Sequence, residues 1–304
     1  YFTHKPGVGE AVPRDLYEGE VPVARVGYYT QLLADEASAW IGQQSQDKPF
    51  FLSLHFTAPH WPWVGPEDEE VSRNLKDLFH YDGGNLATYA RMVRSLDAAV
   101  GQVLGQLKSQ GLDENTIVVF SSDNGGERFA KTWPFTGQKT ELLEGGLRVP
   151  TLLRWPAGLK PQVSEEVTIS MDWLPTLLAA AGLKAHPDYA PDGENILPVL
   201  QGQAPLHERS LFWRYKAQAQ RAVREGPYKY LKINEHEFLF DVVTDTLERA
   251  NLKDKLPEVF ARLRQKWEDW NAQFIPITDE VFTHGVTPDI QADRYRPEHT
   301  HRQL

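Results

Sequence analysis

The stretch VVFSSDNGGE, Val118 to Glu127, constrains the fold more than any other part of the chain. An apolar, β-branched run that stops at an acid, an amide and two glycines reads as a buried strand whose carboxyl end opens on a polar loop. In an open α/β sheet, ligands bind beyond the carboxyl ends of the strands, so the residues there are site candidates. An earlier run, KPFFLSLHF, reads as another buried strand and stops in TAPHWPWVGP, where Pro59, Pro62 and Pro66 forbid a continued ladder or helix. Between the two runs, Leu86, Tyr89, Met92, Val93, Leu96, Val100, Val103, Leu104 and Leu107 fall on one helical stripe. Asn85 can cap that helix and Gly111 can end it. Strand, loop, helix, strand is the crossover unit of a parallel sheet, which would open the loops at His60 and Asp123 on one sheet edge.

The spacing also predicts a helix over Val26 to Gln43, a short strand in LRVPTLLRWP, and a helix in SMDWLPTLLAAAGL entered near Pro175 and ended by Gly182, which Asp172 helps begin. From Ser210 the texture changes. SLFWRY, QRAVRE, YKYLKI and EFLFDV are short β-rich runs that suggest a small antiparallel sheet. A helix from Pro257 to Phe274, with Val259, Phe260, Leu263, Trp267, Trp270 and Phe274 on one face, is expected to cover it. The expected architecture is α/β: a mixed, mostly parallel sheet flanked by helices, with the small antiparallel sheet and its helix at the C-terminal end. The corresponding division is 1–205, 206–274, and an extended tail over 275–304.

Lys and Arg total 32 against 42 Asp and Glu, a formal charge of -10, so the overall field repels nucleic acid and anionic membranes. With no Cys, the chain forms no disulfide, no thiolate metal site and no cysteine nucleophile. No apolar run approaches the roughly 20 residues of a membrane span. The opening YFTHKPGVGE is neither a signal peptide nor an initiator Met, and it reads as the start of a piece cut from something longer.

Asp123 and Asn124 offer a carboxylate and an amide oxygen side by side, hard donors suited to Ca²⁺ or Mg²⁺; the competing reading is an Asx turn after a strand. Gly125 and Gly126 would let the backbone turn tightly beside an ion. Lys139, among glycines in GQKTELLEGGLRVP, is either a point charge for an anionic oxygen or a solvated surface lysine. His60, between prolines and tryptophans, is either a positioned acid/base or a structural histidine. Trp61, Trp63 and Trp133 either wall a pocket and stack on a sugar or aromatic group, or pack in the core. Glu144 and Arg148 are expected to brace the loop that carries Lys139.

PFFLSLHFTAPHWP, VVFSSDNGGE, GQKTELLEGGLRVPTLLRWP and MDWLPTLLAAAGL, in this order, resemble the type I sulfatases of the alkaline phosphatase superfamily. YKYLKI, FLFDVVTDTLERANL and the closing helix resemble that family's small C-terminal domain. The resemblance implies an alkaline phosphatase-like fold and hydrolysis of a sulfate monoester, on a sugar or aryl group, to alcohol and sulfate. It implies that Asp123 and Asn124 are two ligands of a divalent ion, usually Ca²⁺ and alternatively Mg²⁺. Lys139 would contact the sulfate, and His60 would contact the sulfate or assist the leaving oxygen. An exported location, periplasmic, secreted or lysosomal, also follows by resemblance.

The family's nucleophile is a formylglycine made from Cys or Ser in a Cys/Ser-x-Pro-x-Arg motif, which this chain lacks. It also lacks the family's paired aspartates and its Gly-Lys-x-His segment. All of these belong to the part that precedes YFTHK in the family, so truncation is the expected explanation, with a formylglycine-generating or anaerobic maturase as partner of the full-length protein. Two alternatives stand beside this reading. One is a phosphatase or phosphonate hydrolase of the same superfamily; the other is a non-catalytic anion- or sugar-binding protein with a half-site. The chain alone is expected to give no turnover of an aryl sulfate, and a single-turnover burst of free phenol would contradict that.

Overall fold

The computed structural model describes residues 1–2, 16–75, 84–206 and 208–278. The chain divides into two units, Tyr1–Thr116 and Ile117–Leu304. The first holds a short antiparallel pair, β1 (Tyr17–Glu18) and β2 (Val21–Pro22), and three helices, α1 (Tyr29–Ile41), α2 (Glu69–Asn74) and α3 (Leu86–Ser109). The Asn85 side chain accepts from the Thr88 N–H at 2.9 Å, and Gly111 follows α3 at a φ of +66°, so both signals at the ends of this helix act as expected. Helix α3 presents Thr88, Met92, Ala99 and Leu107 as its buried line, and α1 presents Thr30, Ala34, Ala37 and Ile41. Small residues on α1 let the two axes approach. Gln102 of α3 then ties the seam, reaching Asp35 at 2.9 Å and Gln31 at 2.8 Å.

The strand expected over KPFFLSLHF is not formed as a strand among the described residues. Residues 50–56 carry no regular secondary structure, but Phe50, Leu52, Leu54 and Phe56 are half-buried and the alternate residues exposed. The period-two pattern is therefore real, but a strand also needs a ladder, and no described residue pairs with this segment.

The second unit contains β3 (Val118–Ser121), α4 (Glu144–Leu147), β4 (Thr151–Arg154), α5 (Trp173–Ala180), α6 (Leu197–Leu200), β5 (Ser210–Tyr215), β6 (Gln220–Glu225), β7 (Tyr228–Ile233), β8 (His236–Asp241) and α7 (Pro257–Asn271). Strand β3 pairs antiparallel with β4, Val118 opposite Arg154 and Ser121 opposite Thr151. The parallel partners expected from the crossover pattern are not among the described ladders. The C-terminal strands form an antiparallel meander in the order β5-β6-β7-β8, as their turns predict. Residues 279–304 of the expected tail lie outside the described residues. No helix among the described residues is long and apolar enough to cross a membrane.

Asp172 helps begin its helix as expected: its carboxylate accepts from the Ile169 N–H at 2.8 Å, the acid half of a capping box at the turn 170–172 that leads into α5. It also accepts from the Glu194 N–H at 2.9 Å and pairs with Arg209. Burial opposes its ionisation, but Arg209 and the two amides outweigh burial and hold the carboxyl below the usual range.

The meander is covered on both faces. Val223, Tyr230 and Leu239 meet Leu263 and Trp267 of α7, while Ala222, Leu231 and Phe240 on the opposite face meet Leu142. Glu225, at the end of β6, receives Lys266 and Arg262 of α7 and Ser210 of β5. Burial alone would raise this carboxyl, but the three donors bring its pKa down to about 2 from the usual 4.5. A folded-state pKa below the unfolded one gives stability that is present above pH 4.5 and lost as pH falls toward 2. Glu225→Gln should therefore flatten the stability profile in this window, measured by urea denaturation from pH 6 to 2.5; equal slopes for both proteins would show that the α7 clamp contributes nothing there.

Candidate functional site

Beyond β3 the chain turns through Ser122 to Glu127, and this turn is locked to the segment 136–148. The Gly125 N–H donates to the Gly146 carbonyl at 2.9 Å, the Lys139 N–H to the Gly126 carbonyl at 2.9 Å, and the Gly145 N–H to the Thr136 carbonyl at 2.7 Å. The glycines make this possible. A Cβ on Gly125 would sit 1.9 Å from the Gly145 carbonyl oxygen, and one on Gly145 would sit 2.2 Å from that of Gly137. The tight approach expected of these glycines is thus between two loops of the protein itself.

Lys139 is not a solvated surface lysine. Its side chain is 22% exposed, and Nζ lies 3.6 Å from Glu127 Oε2. Asn124 is half-buried and donates from Nδ2 to the Gly125 carbonyl at 3.0 Å, while Asp123 is exposed. These two residues supply one carboxylate and one amide oxygen. That chemistry suits a hard divalent cation, but it is two donors of the six to eight that Ca²⁺ takes. Among the described residues no group of three or more acids or histidines could hold a metal ion.

His60 belongs to the first unit. Its Nδ1 lies 2.8 Å from the Trp61 carbonyl, so Nδ1 carries the hydrogen and Nε2 is the nitrogen that can exchange a proton. The surrounding loop is anchored by Tyr28, whose hydroxyl donates to the Val64 carbonyl at 3.0 Å, and by Tyr1, whose hydroxyl donates to the His60 carbonyl at 2.9 Å. Of the three tryptophans, Trp63 is a core residue at 4% exposure, Trp61 is half-buried, and Trp133 is 76% exposed.

What fixes the Lys139 loop is a set of buried charges. Lys229 of β7 is wholly buried, with Nζ 2.8 Å from Glu144 Oε1 and 2.7 Å from Glu248 Oε1. It also donates to the Leu142 carbonyl at 3.1 Å. Arg224, directly across the ladder from Lys229, lies 3.8 Å from Glu144 Oε2, so two cations face two carboxylates. Burial pushes the Glu248 carboxyl up, and Lys229 offsets part of that. Gln220 of β6 adds a bidentate clasp, accepting from the Leu142 N–H at 2.8 Å and donating to the Thr140 carbonyl at 2.9 Å. Glu144 therefore braces the loop as expected, and Arg148 does so through its guanidinium 4.8 Å from the centre of the Phe135 ring.

The Sulfatase family model matches residues 2–183, and the model of the N-sulphoglucosamine sulphohydrolase C-terminal region matches residues 137–273. The chain belongs to the sulfatase family. It is 33% identical over 229 residues to N-acetylgalactosamine-6-sulfatase of Rattus norvegicus, covering 72% of this chain and 40% of that protein. It is 35% identical over 199 residues to steryl-sulfatase of the same organism, covering 61% of this chain and 32% of the relative. The crystal structure of Ps i-CgsB superposes with a TM-score of 0.71 at 28% identity, over 82% of this chain and 56% of that one. The chain thus spans less than half the length of these two curated relatives. Its sulfatase neighbours carry the alkaline phosphatase-like fold.

Sequence reasoning missed Lys229, Glu248 and Gln220. Lys229 carried a signal: in YKYLKI the period of two puts it on the same face as Leu231, an ionisable residue at a core position. Glu248 carried none, because it sits in a turn that only tertiary folding brings to Lys229. Lys229→Met takes the ammonium away from the buried Glu144 and Glu248 and leaves Arg224 beside Glu144, and should cost about 3–5 kcal/mol in chemical denaturation. Adding Glu248→Gln should recover part of that loss. A loss within about 1 kcal/mol, the range of a surface pair, would mean the clamp does not hold the loop.

Proposed function

We propose that this protein hydrolyses a sulfate monoester to an alcohol and sulfate, with a sulfated saccharide as the substrate class. The observation that carries the reading is the backbone lock between the Asp123-Asn124 turn and the Lys139 loop, which joins the segments that carry the carboxylate, the amide and the lysine at the end of a strand. Support for a saccharide comes from relatives: one is named an N-acetylgalactosamine-6-sulfatase, and a solved neighbour is described in complex with k-i-k-neocarrahexaose. Family membership favours sulfate over phosphate as the anion.

In this reading Lys139 binds a sulfuryl oxygen as a point charge, and Glu127 holds the ammonium in place before the anion arrives. Asp123 and Asn124 would supply two of the ligands of a divalent cation, Ca²⁺ or Mg²⁺, which would offset negative charge on the sulfate. By family resemblance His60, held by the Trp61 carbonyl at Nδ1, would act on the departing oxygen through Nε2, giving up a proton there when the ring is in its imidazolium form. The nucleophile is a formylglycine by family resemblance, installed by a maturation enzyme on an exported protein; no residue of this chain is assigned that role.

Lys139→Ala and Asp123→Asn should each weaken binding of inorganic sulfate in the presence of Ca²⁺ by at least about tenfold in titration calorimetry, the loss expected of a charge-assisted contact. Unchanged affinity in both variants would overturn the site. In an active sulfatase containing these residues, His60→Ala should slow an alkyl sulfate more than a nitrophenyl sulfate, because a poor leaving group depends more on protonation. Equal losses would assign His60 to ground-state binding.

A further inference from the structure

The turn that carries Lys139 and the C-terminal meander meet at one side-chain amide, and the backbone is strained on both sides of it. A tight turn from Gln138 to Glu141, closed by the Glu141 N–H donating to the Gln138 carbonyl at 3.1 Å, places Lys139 second and Thr140 third. Thr140 stands at a φ of +73°, a left-handed backbone that suits glycine and is rare for a β-branched residue. On the meander side, the connection between β5 and β6 holds two consecutive residues of the same kind, Gln218 at +57° and Ala219 at +47°. Gln220 follows them as the first residue of β6.

The Gln220 side chain joins these two strained segments. It is 1% exposed, accepts from the Leu142 N–H at 2.8 Å, and donates to the Thr140 carbonyl at 2.9 Å and the Ala217 carbonyl at 3.2 Å. The Asn234 N–H, donating to the Gln218 carbonyl at 2.7 Å, holds the connection from its other side. Strained non-glycine backbone persists only where the surroundings over-determine it, and it clusters at functional sites. A glycine at position 140 would relax the turn but would also free it, because glycine populates both signs of φ. A threonine kept left-handed by a buried amide confines the turn to one form. Only an amide serves in that place, since a carboxylate supplies no donor for the two carbonyls and an aliphatic chain supplies neither donor nor acceptor.

The consequence for the site is direction. Lys139 is fixed on one side by its own N–H on the Gly126 carbonyl and on the other by Gln220 on the carbonyl of the next residue. We propose that Gln220 is a positioning residue for the sulfate contact: it holds Thr140 in its left-handed form and thereby aims Lys139. The proposal rests on the reading of Lys139 as that contact.

The test combines calorimetric titration of the 304-residue chain with inorganic sulfate and Ca²⁺, and hydrogen exchange of the Lys139 amide read by NMR. Gln220→Met should weaken sulfate by at least about threefold, the equivalent of one lost hydrogen bond, and speed exchange of the Lys139 amide by about tenfold. Gln220→Glu keeps the acceptor for Leu142 and loses the donors, so it should move both readouts in the same direction even where Gln220→Met does not fold. Adding Thr140→Gly to Gln220→Met should recover part of the sulfate affinity, because glycine takes the positive φ without support. Loss of fold stability alone would give no such rescue. Val223→Ala, on the α7 face of the meander, is the control: it should lower thermal stability and leave sulfate affinity unchanged. With Lys139 already replaced by Ala, Gln220→Met should have no further effect on sulfate. Parental sulfate affinity in the Gln220 variants, no recovery with Thr140→Gly, or an equal loss in Val223→Ala overturns the proposal. Sulfate affinity indifferent to Lys139→Ala overturns the reading of Lys139, whereas exchange of its amide still decides whether Gln220 holds the turn.

Discussion

The wholly buried ammonium of Lys229 is the interaction on which the rest of the second unit depends. A buried lysine is stable only with its charge matched, and here Glu144 and Glu248 come from two segments far apart in sequence, one before and one after the strand that carries the lysine. Bringing them together forces the 136–148 segment onto one face of the C-terminal meander. The apolar contacts of Leu142 with Ala222, Leu231 and Phe240 then form around that charge cluster, and the Gln220 clasp fixes the backbone on either side. Hydrophobic area supplies attraction without direction; the charges and the clasp decide which register the loop adopts.

That arrangement gives the C-terminal meander a role beyond its own stability. One face holds α7 through Val223, Tyr230, Leu239, Leu263 and Trp267, and the other holds the loop of Lys139. The loop in turn is locked to the Asp123-Asn124 turn by glycines that admit a carbonyl where any Cβ would collide. Lys139 and Asn124 are therefore positioned by a relay of rigid contacts that starts in the sheet. Side chains held this way are pre-organised, the condition under which a fixed cation would be worth most to an anion.

The same loop is divided between a fixed part and an exposed part. Its two ends are fixed by backbone hydrogen bonds and buried charge, whereas the excursion between them projects Trp133 and Lys131 into solvent.

Much of the architecture was legible in local sequence. Asn85 and Gly111 mark the ends of α3 because capping and left-handed termination are properties of one or two residues. The four C-terminal strands and α7 follow from periods of two and 3.6 that each segment carries by itself. The site candidates Asp123, Asn124, Lys139 and His60 were visible as polar residues in loops after apolar runs. The tertiary structure alone decided the pairings: residues 50–56 have the pattern of a strand but no described partner, β3 meets β4 antiparallel, and Asp172, besides capping the start of its helix, takes Glu194 and Arg209 as partners. It alone separated Trp63 in the core from Trp133 in solvent, and it alone joined Lys229 to Glu248. The physical reason is range: backbone propensity and periodicity act over a few residues, whereas ladder partners and the neutralisation of buried charge depend on groups that the chain brings together only when it folds.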